Sequence, residues 1–207
     1  MDLFFPRRVE RPLYGQFGEL AQLLVQAADA HSRLLGHGYR ERTRILPVLH
    51  ENATRATELC GRVANRLAES LITPYEAEIL YDFALTIADT VDSLEHTSEL
   101  LVLTRVGTLP TPLLEAAKGI ERAAELTLVA TWSLNQVRDL DDYYTQVRKV
   151  RRQGDRLVRQ ALAELYRRGG ASSELLAFRD VTTAIARTIE LQERTARFAD
   201  LLRVKDA

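Results

Sequence analysis

The sequence predicts an all-α protein of six helices, because of its composition, its break points and its apolar periodicity. Of the 207 residues, 46% are hydrophobic and only 7% aromatic, with ten glycines and six prolines. Sparse helix breakers and this apolar content are typical of a helical domain with a core of its own. Most of the breakers fall between stretches in which apolar residues recur every three or four positions.

Two helices are predicted after an irregular arm at residues 1–11, whose apolar side chains we expect to pack on the body. The first helix covers residues 12–35 and ends at glycines. His31 lies on its apolar face and is expected to be a core residue with its hydrogen bonds satisfied. The second helix covers residues 39–71, where Pro47 either kinks the helix or marks its true beginning.

The third helix, predicted over residues 74–103, has the clearest start in the sequence. Thr73 can cap the helix, Pro74 suits its first position, and Glu76 at the third position can close a capping box. The apolar stripe of this helix leaves Asp89 and Asp92 to one side, three residues apart. Because side chains at this spacing are neighbours on a helix, the two carboxylates can act together.

Three more helices complete the chain. A second Thr-Pro pair opens the fourth helix, over residues 111–137. Aspartates at residues 139–142 crowd the start of the fifth helix, where the helix dipole favours negative charge. The fifth helix ends at Arg168, before two glycines, and the sixth covers residues 172–205.

The helices form two similar halves, related by a shift of 98 residues. The matched positions are small or apolar in both halves, and include Ala56 with Gly154, Cys60 with Val158, Ile87 with Ile185, and Val91 with Ile189. Gly154 would permit close approach of the fifth helix to its neighbour. We therefore predict two tandem three-helix bundles, residues 1–107 and 108–207, in one compact domain.

Acidic side chains recur in this repeated unit, beside the core stripes. They are Asp89, Asp92 and Glu95 in the first half, and Asp155, Glu190 and Glu193 in the second. Two interpretations stay open, a solvated helix face and a cation site, since a hard cation takes several oxygen ligands. Arg151 lies one turn from Asp155, so ion pairs with a guanidinium are predicted in the second half.

The fifth helix also carries a run of basic residues, three of which, Arg148, Arg152 and Arg159, share a face. This face is either solvated and balanced by acids on neighbouring helices, or a surface for acidic partner loops or anionic membrane. Nucleic acid is not expected as a partner, because no aromatic residues interleave the charges and the net charge is −1.

The segment from Leu67 to Asp92, in which L-x4-ITP precedes a helix with D-x-x-D, resembles the PhoU-like phosphate transport regulators. It is most similar to relatives encoded beside low-affinity inorganic phosphate (Pit) transporters. The segments FGELAQLLVQAADAHSRLL, QGDRLVRQALAELY and RDVTTAIARTIELQERTARFAD extend the resemblance over nearly the whole chain. It implies paired three-helix bundles, and a cytoplasmic, non-enzymatic regulator of phosphate uptake or signalling.

Several members of that family bind metal-ion clusters through repeated acidic motifs, from which this sequence departs. Ala53 and Thr57, Arg151, and Ala186 stand at expected acidic positions of the second, fifth and sixth helices. The remaining candidate ligands of a divalent or ferric cation are Asp89, Asp92, Asp155, Glu190 and Glu193. We expect metal binding to be weak or lost, above all in the second half, and predict no other cofactor.

No catalytic motif emerges, neither a nucleophile elbow, a glycine loop for phosphate nor an activated Cys-His pair. The single cysteine indicates a reducing compartment, and no apolar run approaches the roughly 20 residues that span a bilayer. We predict a cytoplasmic regulator of phosphate transport that binds a membrane phosphate transporter or a phosphate-signalling protein. It would meet the membrane only through that partner. A metal-binding helical bundle, with storage or enzymatic function, and a structural homo-oligomer are the alternatives.

Overall fold

The computed structural model describes residues 10–69, 76–134, 140–169 and 171–205, in which all regular structure is helical. The helices are α1 (Glu10–Gly36), α2 (Tyr39–Glu69), α3 (Ala77–Leu103), α4 (Thr111–Trp132), α5 (Asp141–Arg168) and α6 (Ser172–Lys205). The predicted all-α class and the order of six helices are therefore confirmed for the described residues.

Four helices form the centre of the molecule, and two flank it. α1 packs on α4, and α3 packs on α6, so both contacts join the two halves of the chain. α2 covers α1 and α3, while α5 covers α4 and α6. The two three-helix bundles thus share one interior, and α2 and α5 hold equivalent outer places. The division at residue 107 stays a prediction.

One continuous core connects the six helices, and the predicted stripes supply it. Along α3, Leu80, Phe83 and Val91 are fully buried. The ring of Phe83 lies 5.7 Å from that of Phe17 in α1, centroid to centroid. Because these side chains recur at helical spacing, burial of their shared face fixes which side of α3 turns inward.

The capping box predicted for the third helix is wrong at Glu76. α3 begins at Ala77, so Glu76 is the residue before the helix and makes no side-chain cap hydrogen bond. Its carboxylate instead pairs with the ammonium group of Lys205 at the end of α6. Thr73 and Pro74 lie outside the described residues.

Other predicted boundaries are close to the observed ones. α1 begins two residues earlier than predicted, and α4 ends at Trp132 rather than near residue 137. Pro47 lies inside α2, so it does not mark the beginning of that helix. The arm at residues 1–9 and Asp139 are outside the part of the chain that the structure describes.

Gly154 permits the close approach of α5 and α6 that its place on the core face predicts. A Cβ added at this position would lie 2.8 Å from Cδ1 and 3.2 Å from Cγ2 of Ile189. Carbon atoms do not approach this closely without strain, so an added Cβ would force the side chain of Ile189 to shift. The 98-residue shift places Ala56 and Val91 at the equivalent positions of the first half.

We therefore expect Gly154→Ala to destabilise the protein by about 1 to 2 kcal/mol, although alanine favours a helix more than glycine does. Adding Ile189→Val removes the Cδ1 atom that clashes and gives the alanine and valine that stand at these positions in the first half. The double variant should therefore recover most of the lost stability. Gly61→Ala, where no atom lies near the added Cβ, should be neutral or stabilising. Urea unfolding of the four proteins tests this, and a double variant no more stable than Gly154→Ala would contradict it.

Candidate functional site

A groove of about 620 Å³ opens where α3 and α6 pack across the two halves. Asp89 and Asp92 line it from α3, so the predicted acidic pair faces a concave surface. From α6, Asp180 and Arg187 line the same groove. Asp180 pairs with Arg179, whose Nη2 lies 2.9 Å from Oδ1, so Asp89 and Asp92 are the carboxylates that remain opposite Arg187.

The groove is anchored by a hydrogen bond between its two helices. Ser93 and Thr188 lie 2.8 Å apart through their hydroxyl oxygens. Because Thr188 donates to the carbonyl of Ala184, Ser93 is the donor in the contact between them. This bond fixes α3 against α6 at the position where the charged side chains line the groove.

Asp89 has an altered protonation equilibrium in this setting. Partial burial raises the pKa of its carboxyl above the ordinary value, and the negative charge of Asp92 adds to the effect. The positive charges of Arg194 and Arg187 act in the opposite direction on the same pKa. The two predicted aspartates are therefore close enough to repel each other, as their spacing indicates.

Glu95, the third acidic residue of the first half, is directed toward α2. Glu95 lies against His50 of α2, with 2.5 Å between Oε1 and Nδ1, a contact that is an ion pair when the imidazole is protonated. Its carboxylate is thereby held toward α2, and it does not line the groove with Asp89 and Asp92.

In the second half, Arg151 pairs with two of the three predicted carboxylates. Its Nη1 lies 3.2 Å from Asp155 Oδ1, and its Nε lies 3.7 Å from Glu193 Oε2. Arg151 also donates to the carbonyl of Ala186 at 3.3 Å. The ion pairs predicted here are present for Asp155 and Glu193, while Glu190 is exposed to solvent.

These residues do not fit a metal cluster of the kind that the family resemblance implies. Among the described residues, no group of three or more histidine, cysteine, aspartate or glutamate side chains could hold a metal ion. A hard cation takes about six oxygen ligands. Arg187 faces Asp89 and Asp92, and Arg151 pairs with Asp155 and Glu193, so each set of carboxylates already has a guanidinium beside it. Weak or lost metal binding remains our prediction.

The predicted basic face lies on the outer side of α5. Arg148, Arg152 and Arg159 are all exposed. Arg148 is partly engaged, since its Nε lies 4.0 Å from Glu193 and its guanidinium lies over the ring of Tyr144 at 5.5 Å. Arg152 and Arg159 take part in none of the ion pairs found in the described chain.

Sequence reasoning missed Arg187 as a groove residue, although the repeat contained a signal. A shift of 98 residues places Asp89 on Arg187 and Asp82 on Asp180. Because α3 packs on α6, equivalent positions of the two halves meet at the same interface. The exchange of an acid for a base at this position therefore places opposite charges in one groove.

The fold is PhoU-like. A crystal structure of a PhoU-like protein from Shewanella oneidensis MR-1 superposes with a TM-score of 0.74 at 14% sequence identity, covering 97% of this chain and 100% of that one. A second structure from the same organism, described as a PhoU-like phosphate regulatory protein, gives a TM-score of 0.72 at 13% identity, with 96% and 98% covered. No protein-family model and no curated protein matches the sequence.

Proposed function

We propose that this protein is a non-catalytic, cytoplasmic regulator of inorganic phosphate transport that binds a membrane phosphate transporter of the Pit type. The PhoU-like fold, matched over nearly the whole chain, is the observation that carries the proposal. The similar Shewanella oneidensis protein is described as a phosphate regulatory protein. The sequence resemblance to proteins encoded beside Pit transporters supplies the narrower assignment.

The α3–α6 groove supports binding to such a transporter through its charge. Cytoplasmic loops of membrane proteins carry an excess of lysine and arginine. Asp89 and Asp92 line the groove and take part in none of the ion pairs of the described residues, although the charges of Arg187 and Arg194 reach Asp89, while Asp180 is already paired with Arg179. Complementary charge steers two proteins together and sets their register. A basic cytoplasmic loop therefore suits this groove better than an acidic one does.

None of the described helices combines the length and apolar character needed to cross a bilayer. Under this proposal, contact with the transporter takes place at the bilayer surface. A rigid helical surface can report or restrain the conformation of a transporter if it binds one of its conformations more tightly than another.

The proposal predicts that loss of the protein changes the initial rate of radiolabelled phosphate uptake by cells, and that the protein co-purifies with a Pit-type transporter in detergent. Asp89→Asn/Asp92→Asn should weaken the binding about tenfold, since an exposed ion pair contributes up to about 1 kcal/mol. The matched control is Glu51→Gln/Glu58→Gln, which removes two exposed charges from α2. Unchanged uptake together with no co-purification would contradict the proposal.

A further inference from the structure

The outer helices of the two halves differ in charge over one matched stretch. Residues 148–159 of α5 contain six basic side chains and one acidic side chain. The equivalent stretch of α2, residues 50–61, contains one basic and two acidic side chains. α2 and α5 hold equivalent outer places in the fold, and all of the six basic side chains except Arg151 are exposed.

Four of the α5 cations and one aromatic residue form a single line, which we call the α5 stripe: Lys149, Arg152, Arg156, Arg159 and Tyr166. Their spacings of three, four, three and seven residues keep them on one side of an α-helix. At 1.5 Å per residue, the line is roughly 25 Å long. All five side chains are exposed.

The cations of the α5 stripe differ from Arg55 of α2 in their ion pairing. None of the four takes part in an ion pair within the described residues. Two nearby acids, Asp155 and Glu193, both pair with Arg151. On α2, by contrast, Arg55 has its own partner in Glu51, 3.8 Å away. The stripe is therefore a line of uncompensated positive charge.

The shape of this surface favours an extended anionic partner. The stripe runs along the convex outer side of a helix, where a small anion would have donors on one side only. Tyr166, which is 74% exposed at the end of the stripe, has the apolar body and polar tip that suit the headgroup region of a bilayer. An anionic lipid surface offers diffuse negative charge over the full length of such a line.

We propose that the α5 stripe binds directly to the surface of an anionic lipid bilayer. This contact needs no transporter, so it goes beyond the function proposed above and replaces the expectation that the membrane is met only through a partner. Each basic residue near an anionic surface contributes roughly a fivefold increase in the partition constant.

Sedimentation with vesicles of equal parts phosphatidylglycerol and phosphatidylcholine tests the proposal on the full chain. The protein should bind these vesicles and not pure phosphatidylcholine, and binding should weaken as salt rises above about 0.1 M. Arg152→Gln/Arg156→Gln/Arg159→Gln should reduce the partition constant on the order of 100-fold. The matched control, Arg44→Gln/Arg55→Gln/Arg62→Gln, removes three exposed arginines from α2 and should retain most of the binding.

Two results would overturn the proposal. One is no binding to the anionic vesicles; the other is equal loss in both triple variants, which would indicate an effect of net charge alone. Capture of the protein by an immobilised acidic peptide, without vesicle binding, would assign the stripe to a protein partner instead. Transporter co-purification in detergent is a separate measurement, so failure of lipid binding and failure of the regulatory function can be told apart.

Discussion

Replacing Arg42 with methionine is expected to lower the free energy of unfolding by about 3 to 4 kcal/mol. Arg42 is only 3% exposed. Its Nε donates to the carbonyl of Leu34 at 3.3 Å, its Nη2 donates to that of Gly107 at 3.1 Å, and its Nη1 donates to that of Val106. The substitution would leave three carbonyl groups without this donor.

The position of these carbonyls explains why the effect should be large. Leu34 lies in the last turn of α1, where its carbonyl also accepts from the backbone N–H of His37 at 3.3 Å. Val106 and Gly107 lie in the connection between α3 and α4, which joins the two halves. Burial lowers the pKa of Arg42, but a guanidinium remains charged at neutral pH. One charged side chain therefore holds a helix end and the connection together.

Urea unfolding at neutral pH measures the loss, with Arg40→Met as the control. Arg40 is an exposed neighbour in the same turn of α2, and its replacement should change stability by no more than about 0.5 kcal/mol. Arg42→Lys keeps the charge but not the three-donor fork, so its stability should be intermediate. If Arg42→Met unfolds within about 1 kcal/mol of the parent protein, the bonds to the connection contribute little.

The protein should also lose about 2 kcal/mol of stability between pH 7.5 and pH 5 through His31 alone. His31 is 1% exposed, and burial lowers the pKa of its imidazole from 6.5 to about 4. Between these values the unfolded chain binds a proton that the folded protein excludes. The contribution is therefore fully present above pH 6.5 and is lost as the pH falls toward 4, to a total of about 3 kcal/mol.

The surroundings of His31 agree with a neutral ring. Ser98 donates to the carbonyl of Leu94 at 2.8 Å, so its hydroxyl oxygen accepts the bond from Nδ1 of His31, also at 2.8 Å. Nε2 has no hydrogen-bond partner among the described residues. The expectation that His31 is a core residue is confirmed, but only one of its two ring nitrogens has a hydrogen-bond partner among the described residues. A second proton would be buried without an acceptor.

Comparison with His31→Leu isolates this contribution. The leucine variant cannot take up the proton, so its stability should fall by about 2 kcal/mol less than that of the parent protein over the same pH range. Stopping at pH 5 keeps most carboxylates ionised in both proteins. Equal pH dependence in the two proteins would show that His31 is protonated in the folded state, against the argument from burial.

The sequence by itself determined the helices, their inward faces and their repetition. Apolar residues such as Phe83 and Val91 recur at helical spacing, and a helix has one way to bury such a face. The place of Gly154 on the core face and the ion pair of Arg151 with Asp155 followed from spacing as well. Such contacts are predictable because they lie within one helix or between neighbours along the chain.

Only the tertiary structure decided which surfaces the charged residues share. Asp89 and Arg187 meet because α3 packs on α6 across the repeat, and no local pattern specifies that pairing. Glu76 forms an ion pair with Lys205, and Arg42 donates a hydrogen bond to the connection between α3 and α4, more than 60 residues away in the chain. These side chains are long and polar, so their partners depend on which backbone groups the packed helices bring within reach.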